Sequence, residues 1–211
     1  TSVLRARFGD PAPQICHRLD RETSGALVCA RTREAARAIK GAFAAKNVRK
    51  TYLAIVHGQP RWDATEIDAP LALATADDDT ELPGVRMIPR PKGRDGLPSL
   101  TRFEVIERAG DVALVRCTPV TGRQHQIRAH LAHAGHAIVG DKLYAHGDRA
   151  FRRFCDEGLT PELAALFRLP RQALHAHEVR FPHPHDGTEV TARSPLAPEL
   201  RDFLERGAAA A

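Results

Sequence analysis

Apolar positions along the chain fall in short clusters, and their spacing alternates between a helical and a strand-like period. Val3, Leu4 and Phe8 fit one helical stripe, which Gly9 to Pro13 breaks. The run 26–30, Ala-Leu-Val-Cys-Ala, predicts a buried strand. Thr32 then predicts the cap of a helix running to about Lys46, with Glu34 in its first turn and an inner face of Ala35, Ala38, Ile39, Ala42 and Phe43. Residues 50–57, Lys-Thr-Tyr-Leu-Ala-Ile-Val-His, predict a strand that Gly58 and Pro60 end, and a shorter one follows at 65–67. From 76 to 98 the pattern fails. Three successive aspartates, four prolines and the cations Arg86, Arg90, Lys92 and Arg94 predict a long, mobile basic loop. Alternation returns at 101–107 and 112–118, a β-hairpin around 109–111. A helix is expected over 123–134, entered from Thr121-Gly122 and stopped by Gly135. Short helices are expected at 151–157 and 161–169, strands at 175–181 and 188–192, and a last helix at 198–206 with a frayed tail over 207–211. Strands outnumber helices and short turns join several of them. The class is therefore α+β, with a mixed, mostly antiparallel central sheet flanked by helices.

At 211 residues the chain fits one domain, expected over 1–206, long enough to bury a full core unaided. Its longest apolar runs are far too short to span a membrane, and no basic-then-apolar leader stands at Thr1. The four cysteines, Cys16, Cys29, Cys117 and Cys155, form no Cys-x-x-Cys pair, so free thiols in a reducing, cytoplasmic compartment are expected. The net charge of +5 suits either a bland basic surface or a polyanion partner such as nucleic acid. Charge alone does not separate the two.

Two dense polar runs do more. In His17-Arg18-Leu19-Asp20-Arg21-Glu22-Thr23-Ser24-Gly25 the acid Asp20 stands among charged neighbours of both signs just before a small-residue turn. A carboxylate held in that way stays ionised and keeps a fixed direction, as a nucleophile must. An aspartate before a turn also commonly bonds its own backbone, and that reading stays open. About a hundred residues later, Thr121-Gly122-Arg123-Gln124-His125-Gln126-Ile127-Arg128 offers fixed cations and neutral donors. Arg128, on a helix face, could reach Asp20 with the planar fork that fits a carboxylate. Tyr52 is one of two tyrosines and is either a core aromatic or a flat face for a base with a hydroxyl for proton traffic. His125, His130, His133 and His136 have irregular spacing and no His-Glu-x-x-His pattern, so no metal is expected there. Gly-rich phosphate loops and a Gly-x-Ser-x-Gly elbow are absent from the sequence.

At these residues the chain resembles the RluA-type pseudouridine synthases. The matching segments, in order, begin with His17-Arg18-Leu19-Asp20-x-x-Thr23-Ser24-Gly25 and Lys50-Thr51-Tyr52-x-Ala54-x-Val56-x-Gly58. They continue with Thr121-Gly122-Arg123-x-His125-Gln126-Ile127-Arg128-x-His130, Gly135-His136-x-Ile138-x-Gly140-Asp141-x-x-Tyr144, and Leu174-His175-Ala176 with Phe181-x-His183-Pro184. The resemblance implies isomerisation of uridine to pseudouridine within a stem-loop of ribosomal or transfer RNA, without metal or small-molecule cofactor; a monomer is the default expectation. By position it makes Asp20 the catalytic aspartate, Tyr52 the aromatic that stacks on the uracil and serves in removing the C5 proton, and Arg128 the partner of Asp20. Arg18, Arg21, Thr23, Arg123, His125 and Gln126 are then expected to contact RNA, together with Arg86, Arg90 and Lys92 of the 76–98 segment, the expected selector of the target. Three routes stay open for the aspartate: addition to C6 of the base, addition to C1′ of the ribose, or removal of the 2′ hydrogen. A departure stands beside these matches. Family members usually carry a Lys-Pro-x-Gly strand upstream, whereas the 19 residues before Asp20 contain none, so a missing N-terminal strand and no S4-type domain are expected. The competing classes are a non-catalytic RNA-binding module of the same fold and a metal-dependent nuclease using Asp20 and the histidines.

Overall fold

In the computed structural model, which describes residues 2–93 and 95–209, the chain begins with α1 (Ser2–Phe8), β1 (Gln14–Ile15), β2 (Ser24–Gly25) and β3 (Cys29–Ala30). It continues with α2 (Arg33–Ala44), β4 (Arg49–His57), β5 (Ala64–Asp68), β6 (Leu71–Leu73), β7 (Met87–Pro89), β8 (Leu100–Ala109) and β9 (Val112–Pro119). Then come α3 (Gln126–His133), α4 (Gly147–Glu157), α5 (Pro161–Phe167), β10 (Leu174–Pro182), β11 (Glu189–Arg193) and α6 (Pro198–Ala209). The main sheet runs β11-β10-β4-β9-β8-β5, every neighbour antiparallel, with β2 added parallel to the end of β10. This is the α+β class with a mixed, mostly antiparallel sheet.

The apolar run of β4 explains its central place. Leu53, Ala54, Ile55 and Val56 are all buried, on both faces of the sheet. One side chain in two could not be left to solvent there, so both faces of the strand are covered. Val112, Leu114 and Val115 of β9 join them, with Ile127 and Leu131 of α3 and Leu200, Phe203 and Leu204 of α6. A smaller cluster packs Ala36 and Ile39 of α2 onto Val179 and Phe181 of β10. The Thr32 hydroxyl caps α2 by accepting from the Ala35 N–H at 3.1 Å.

Several sequence expectations need correction. The strand expected over 26–30 is reduced to Cys29–Ala30, because the Ala26 N–H bonds Ala176 of β10 while Val28 turns to Cys16. In α2, Ala36 is buried and Ala38 exposed, one position off the expected face, and the helix ends at Ala44. The segment 76–98 is not an irregular basic loop. Met87–Pro89 pairs with Leu71–Leu73, and acids neutralise its cations: Arg90 bonds Asp78, Arg86 lies 3.0 Å from Asp148, and Lys92 bonds Asp68 at 2.6 Å. Arg94 lies outside the described residues. The expected helix at 123–134 starts only at Gln126, after a turn. α6 continues through Ala209, past the expected frayed start at 207; residues 210–211 of that tail lie outside the described residues. The four cysteines are unpaired thiols. Among the described residues no helix is long and apolar enough to cross a membrane.

Several of the histidines are built into the core. His130 is fully buried; its Nε2–H donates to the Ala69 carbonyl at 3.0 Å and its Nδ1 accepts from the Thr101 hydroxyl at 2.9 Å. His136 Nδ1 donates to the His57 carbonyl at 3.0 Å. Burial, as the leading cause, lowers the pKa of six histidines: His17, His57, His125, His130, His146 and His175. The folded state thus binds fewer protons than the unfolded chain below about pH 6.5. Stability should be full above that pH and should fall as the pH drops from 6.5 toward 5, before the carboxylates titrate. Urea midpoints measured across this range test it; an unchanged midpoint between pH 7 and 5 would contradict it.

Candidate active site

Asp20 sits on the turn between β1 and β2, where the Thr23 N–H donates to its backbone carbonyl at 3.0 Å. That bond is between main-chain atoms and not the side-chain bond of a turn-building aspartate, so the carboxylate is left to partners outside the turn. Three ties then fix the turn against the body of the protein. Lys142 Nζ, itself buried, donates to both Glu22 oxygens at 2.7 and 2.8 Å. Gln172 Nε2 donates to the Thr23 hydroxyl at 2.8 Å, and Ser24 Oγ bonds His175 Nδ1 at 2.8 Å. Gly25 makes the docking possible: it has φ +112°, and a Cβ there would meet the Ala176 carbonyl at 2.2 Å.

The opposite wall comes from α3. Arg128 Nη1 donates to Asp20 Oδ2 at 3.2 Å. Its Nε and Nη2 make a bidentate pair with Asp141, at 2.6 and 2.9 Å. Asp141 is in turn fixed by the N–H groups of Leu143 and Tyr144, at 3.0 and 3.1 Å. The Tyr144 ring lies 5.0 Å below the guanidinium. Burial pushes the Arg128 pKa down, but the hydrogen bonds and charge of Asp141, with the charge of Asp20, push it further up. Arg128 is a permanent cation held by one carboxylate and aimed at another.

Tyr52 on β4 completes the pocket, a cavity of about 330 Å³ at the low end of small-ligand sites. Burial and, after it, the Asp20 charge push its hydroxyl up to about 12, so near neutral pH it is an uncharged phenol. His125 holds φ +53° at the start of α3. The Tyr144 hydroxyl donates to the Met87 carbonyl, so it accepts from His125 Nδ1 at 3.2 Å, and a neutral His125 keeps Nε2 as an acceptor.

The residues singled out from sequence divide on this geometry. Asp20, Tyr52 and Arg128 line one pocket, with Arg18, Thr23, Arg123, His125 and Gln126. Gln126 shapes the wall rather than offering contacts. Its amide donates to Leu100 O and Thr101 Oγ1 and accepts from Thr121 Oγ1 and the Arg123 N–H. Arg21 is exposed and outside the pocket lining; the ion-paired Arg86 and Arg90, both partly buried, and the exposed Lys92 also lie outside it. Two residues of the matching segments carry weight the sequence did not reveal. Asp141 is the anchor of Arg128. Lys50 is a half-buried lysine in the pocket wall, its pKa lowered by burial, and it makes no ion pair among the described residues. Among the described lining residues Asp20 is the sole carboxylate against the four cations Arg18, Lys50, Arg123 and Arg128. Such a set repels a divalent ion and attracts a phosphodiester.

Residues 1–133 match the family model described as RNA pseudouridylate synthase. The ribosomal large subunit pseudouridine synthase C of Salmonella typhi is 40% identical over 192 residues, which cover 91% of this chain and 55% of that protein. The Escherichia coli K12 protein of the same name is 39% identical over 193 residues, 92% of this chain and 56% of its own. This chain therefore spans about half the length of the curated relatives it matches. Among solved structures, human RNA Pseudouridylate Synthase Domain Containing 1 is 30% identical with TM-score 0.72, covering 93% of this chain and 74% of that one. Human RNA Pseudouridylate Synthase Domain Containing 4 gives 25% and 0.73, covering 97% and 80%. Sequence match and fold match fall on the same stretch that builds the Asp20 pocket, and the chain belongs to the RNA pseudouridylate synthase family.

Proposed function

We propose that this chain isomerises uridine to pseudouridine at defined positions of large-subunit ribosomal RNA, with Asp20 as its catalytic carboxylate. The observation that supports this best is the Asp20–Arg128 contact, 3.2 Å long, inside a cavity of one nucleoside's scale. The ribosomal substrate is inferred from the printed names of the relatives.

The reaction breaks the C1′–N1 bond, turns the uracil over, joins C1′ to C5, and moves the C5 proton off as N1 gains one. No redox change occurs, so the residues needed are a carboxylate, a flat wall and a cation. Arg128 keeps Asp20 aimed at the sugar and base while its own position is fixed by Asp141. Tyr52 offers a neutral ring on which the uracil rests both before and after its rotation, a contact of about 1–3 kcal/mol for a stacked base. The target nucleotide must leave its stack, at a cost of a few kcal/mol that is smallest in a loop. Arg18, Lys50 and Arg123 offset it through phosphate contacts.

The test is incubation with large-subunit ribosomal transcripts, transfer RNA in parallel, and carbodiimide-blocked primer extension. New blocks at defined uridines of the ribosomal transcript are expected. Blocks in transfer RNA alone would overturn the ribosomal assignment, and no block in either would overturn the activity.

A further inference from the structure

A second cavity, about 460 Å³, opens beside the pocket and shares Arg18, Lys50 and Arg123 with it. Its far wall is the end of α2, where Phe43 and Lys46 line it. No acid is among its described lining residues. Lys40, on the preceding turn of α2, lies close enough to Cys16 on the cavity wall that its charge counters part of the burial pushing that thiol up. Elsewhere the surface cations are largely tied to acids: Arg49 to Glu189, Arg102 to Glu66, Arg116 to Glu104, Arg171 to Glu199. Arg18, Lys40, Lys46, Lys50 and Arg123 make no ion pair among the described residues. Arg123 is held instead by donating Nε to the Pro98 carbonyl at 3.2 Å.

The geometry points to a phosphate track: the RNA strand flanking the target uridine leaves the pocket over Arg18, Lys50 and Arg123 and continues along the end of α2 over Lys46 and Lys40. Four of these unpaired cations line a groove with no acid among its described lining residues, and Lys40 stands on the adjoining turn of α2, so the positive potential outlasts the pocket. A single nucleoside fills the first cavity. A strip that runs beyond it matches a ligand whose charge repeats along a chain. Phosphates held there supply binding that the flipped base cannot, without touching the reacting atoms. This rests on the RNA-directed reading above and adds the path of the strand.

Lys40 and Lys46 are exposed and lie outside the catalytic pocket lining, so the double variant Lys40→Gln/Lys46→Gln tests the track. Binding of a fluorescent stem-loop from the ribosomal transcript is followed over a salt series, and turnover is measured at saturating RNA. Affinity should fall about tenfold at ~0.1 M salt, and the salt slope should shrink by about 0.7 for each phosphate that is no longer neutralised. Turnover at saturation should not change. A control pair of exposed cations outside the groove, Arg61→Gln/Arg206→Gln, should bind as the parent does. The track is overturned if the lysine pair leaves affinity and slope unchanged, or if both pairs weaken binding equally. A parent chain that binds with the full slope yet forms no pseudouridine would sink the isomerase reading and leave the track standing.

Discussion

Asp20→Asn is expected to lower turnover by about 10⁴-fold or more, the scale on which removal of one nucleophilic or acid–base group acts, while the affinity for RNA stays within about threefold. The amide matches the carboxylate in size, so the pocket keeps its shape. Arg128 keeps its bidentate pair with Asp141 and does not collapse into the vacated charge. The turn keeps its place because Glu22, Thr23 and Ser24, not Asp20, tie it to Lys142, Gln172 and His175. What disappears is the negative oxygen. Single-turnover kinetics and anisotropy titration of the same RNA separate the two effects. An inactive variant that also unfolds or fails to bind would make Asp20 a turn-building residue. One that retains turnover would remove the carboxylate from the chemistry altogether.

How much of this is legible in the sequence follows from the range of each interaction. β4, the β8–β9 hairpin and the Thr32 cap of α2 are local: a continuous apolar run, a two-strand alternation around Gly110, a hydroxyl three residues before its N–H. Segment 76–98 reads as a loop because most of its order comes from partners outside it; among the ion pairs of Arg86, Arg90 and Lys92, only Arg90–Asp78 is internal. The partners of Arg86, Arg90 and Lys92 are Asp148, Asp78 and Asp68, and its strand pairs back to Leu71–Leu73. Counting cations in a window sees none of that. The pocket shows the same division. Asp20, Tyr52 and Arg128 stand in dense polar runs or beside a strand end and can be singled out. Arg21 belongs to the same run as Asp20 but points to solvent, since charge density in a sequence says nothing of direction. Asp141 looks like one more turn acid after Gly140, and only the fold brings it onto Arg128.

That buried pair sets up the second large effect. Asp141→Ala is expected to destabilise the protein by about 3–5 kcal/mol, the penalty for stranding one member of a buried ion pair. For a domain of this size that corresponds to a fall in Tm of roughly 10 °C. Asp141 is fully buried, and its Oδ1 also accepts from the N–H groups of Leu143 and Tyr144, so the truncation leaves two amides without acceptors and the guanidinium with only its Asp20 bond. Asp141→Asn separates the two roles. Its oxygen still caps Leu143 and Tyr144, but its NH₂ faces the Arg128 Nε, so the loss of stability should be smaller while Arg128 is freed to rotate. Asp141 would then act on the chemistry as a positioning residue: kcat should fall at least tenfold in the Asn variant with KM nearly unchanged, because the phosphate contacts of Arg18, Lys50 and Arg123 do not pass through it. Thermal unfolding and steady-state kinetics on both variants check this. If the Ala variant melts within about 2 °C of the parent, Arg128 does not depend on Asp141. In that case the direction of the guanidinium toward Asp20 must come from the Tyr144 face alone.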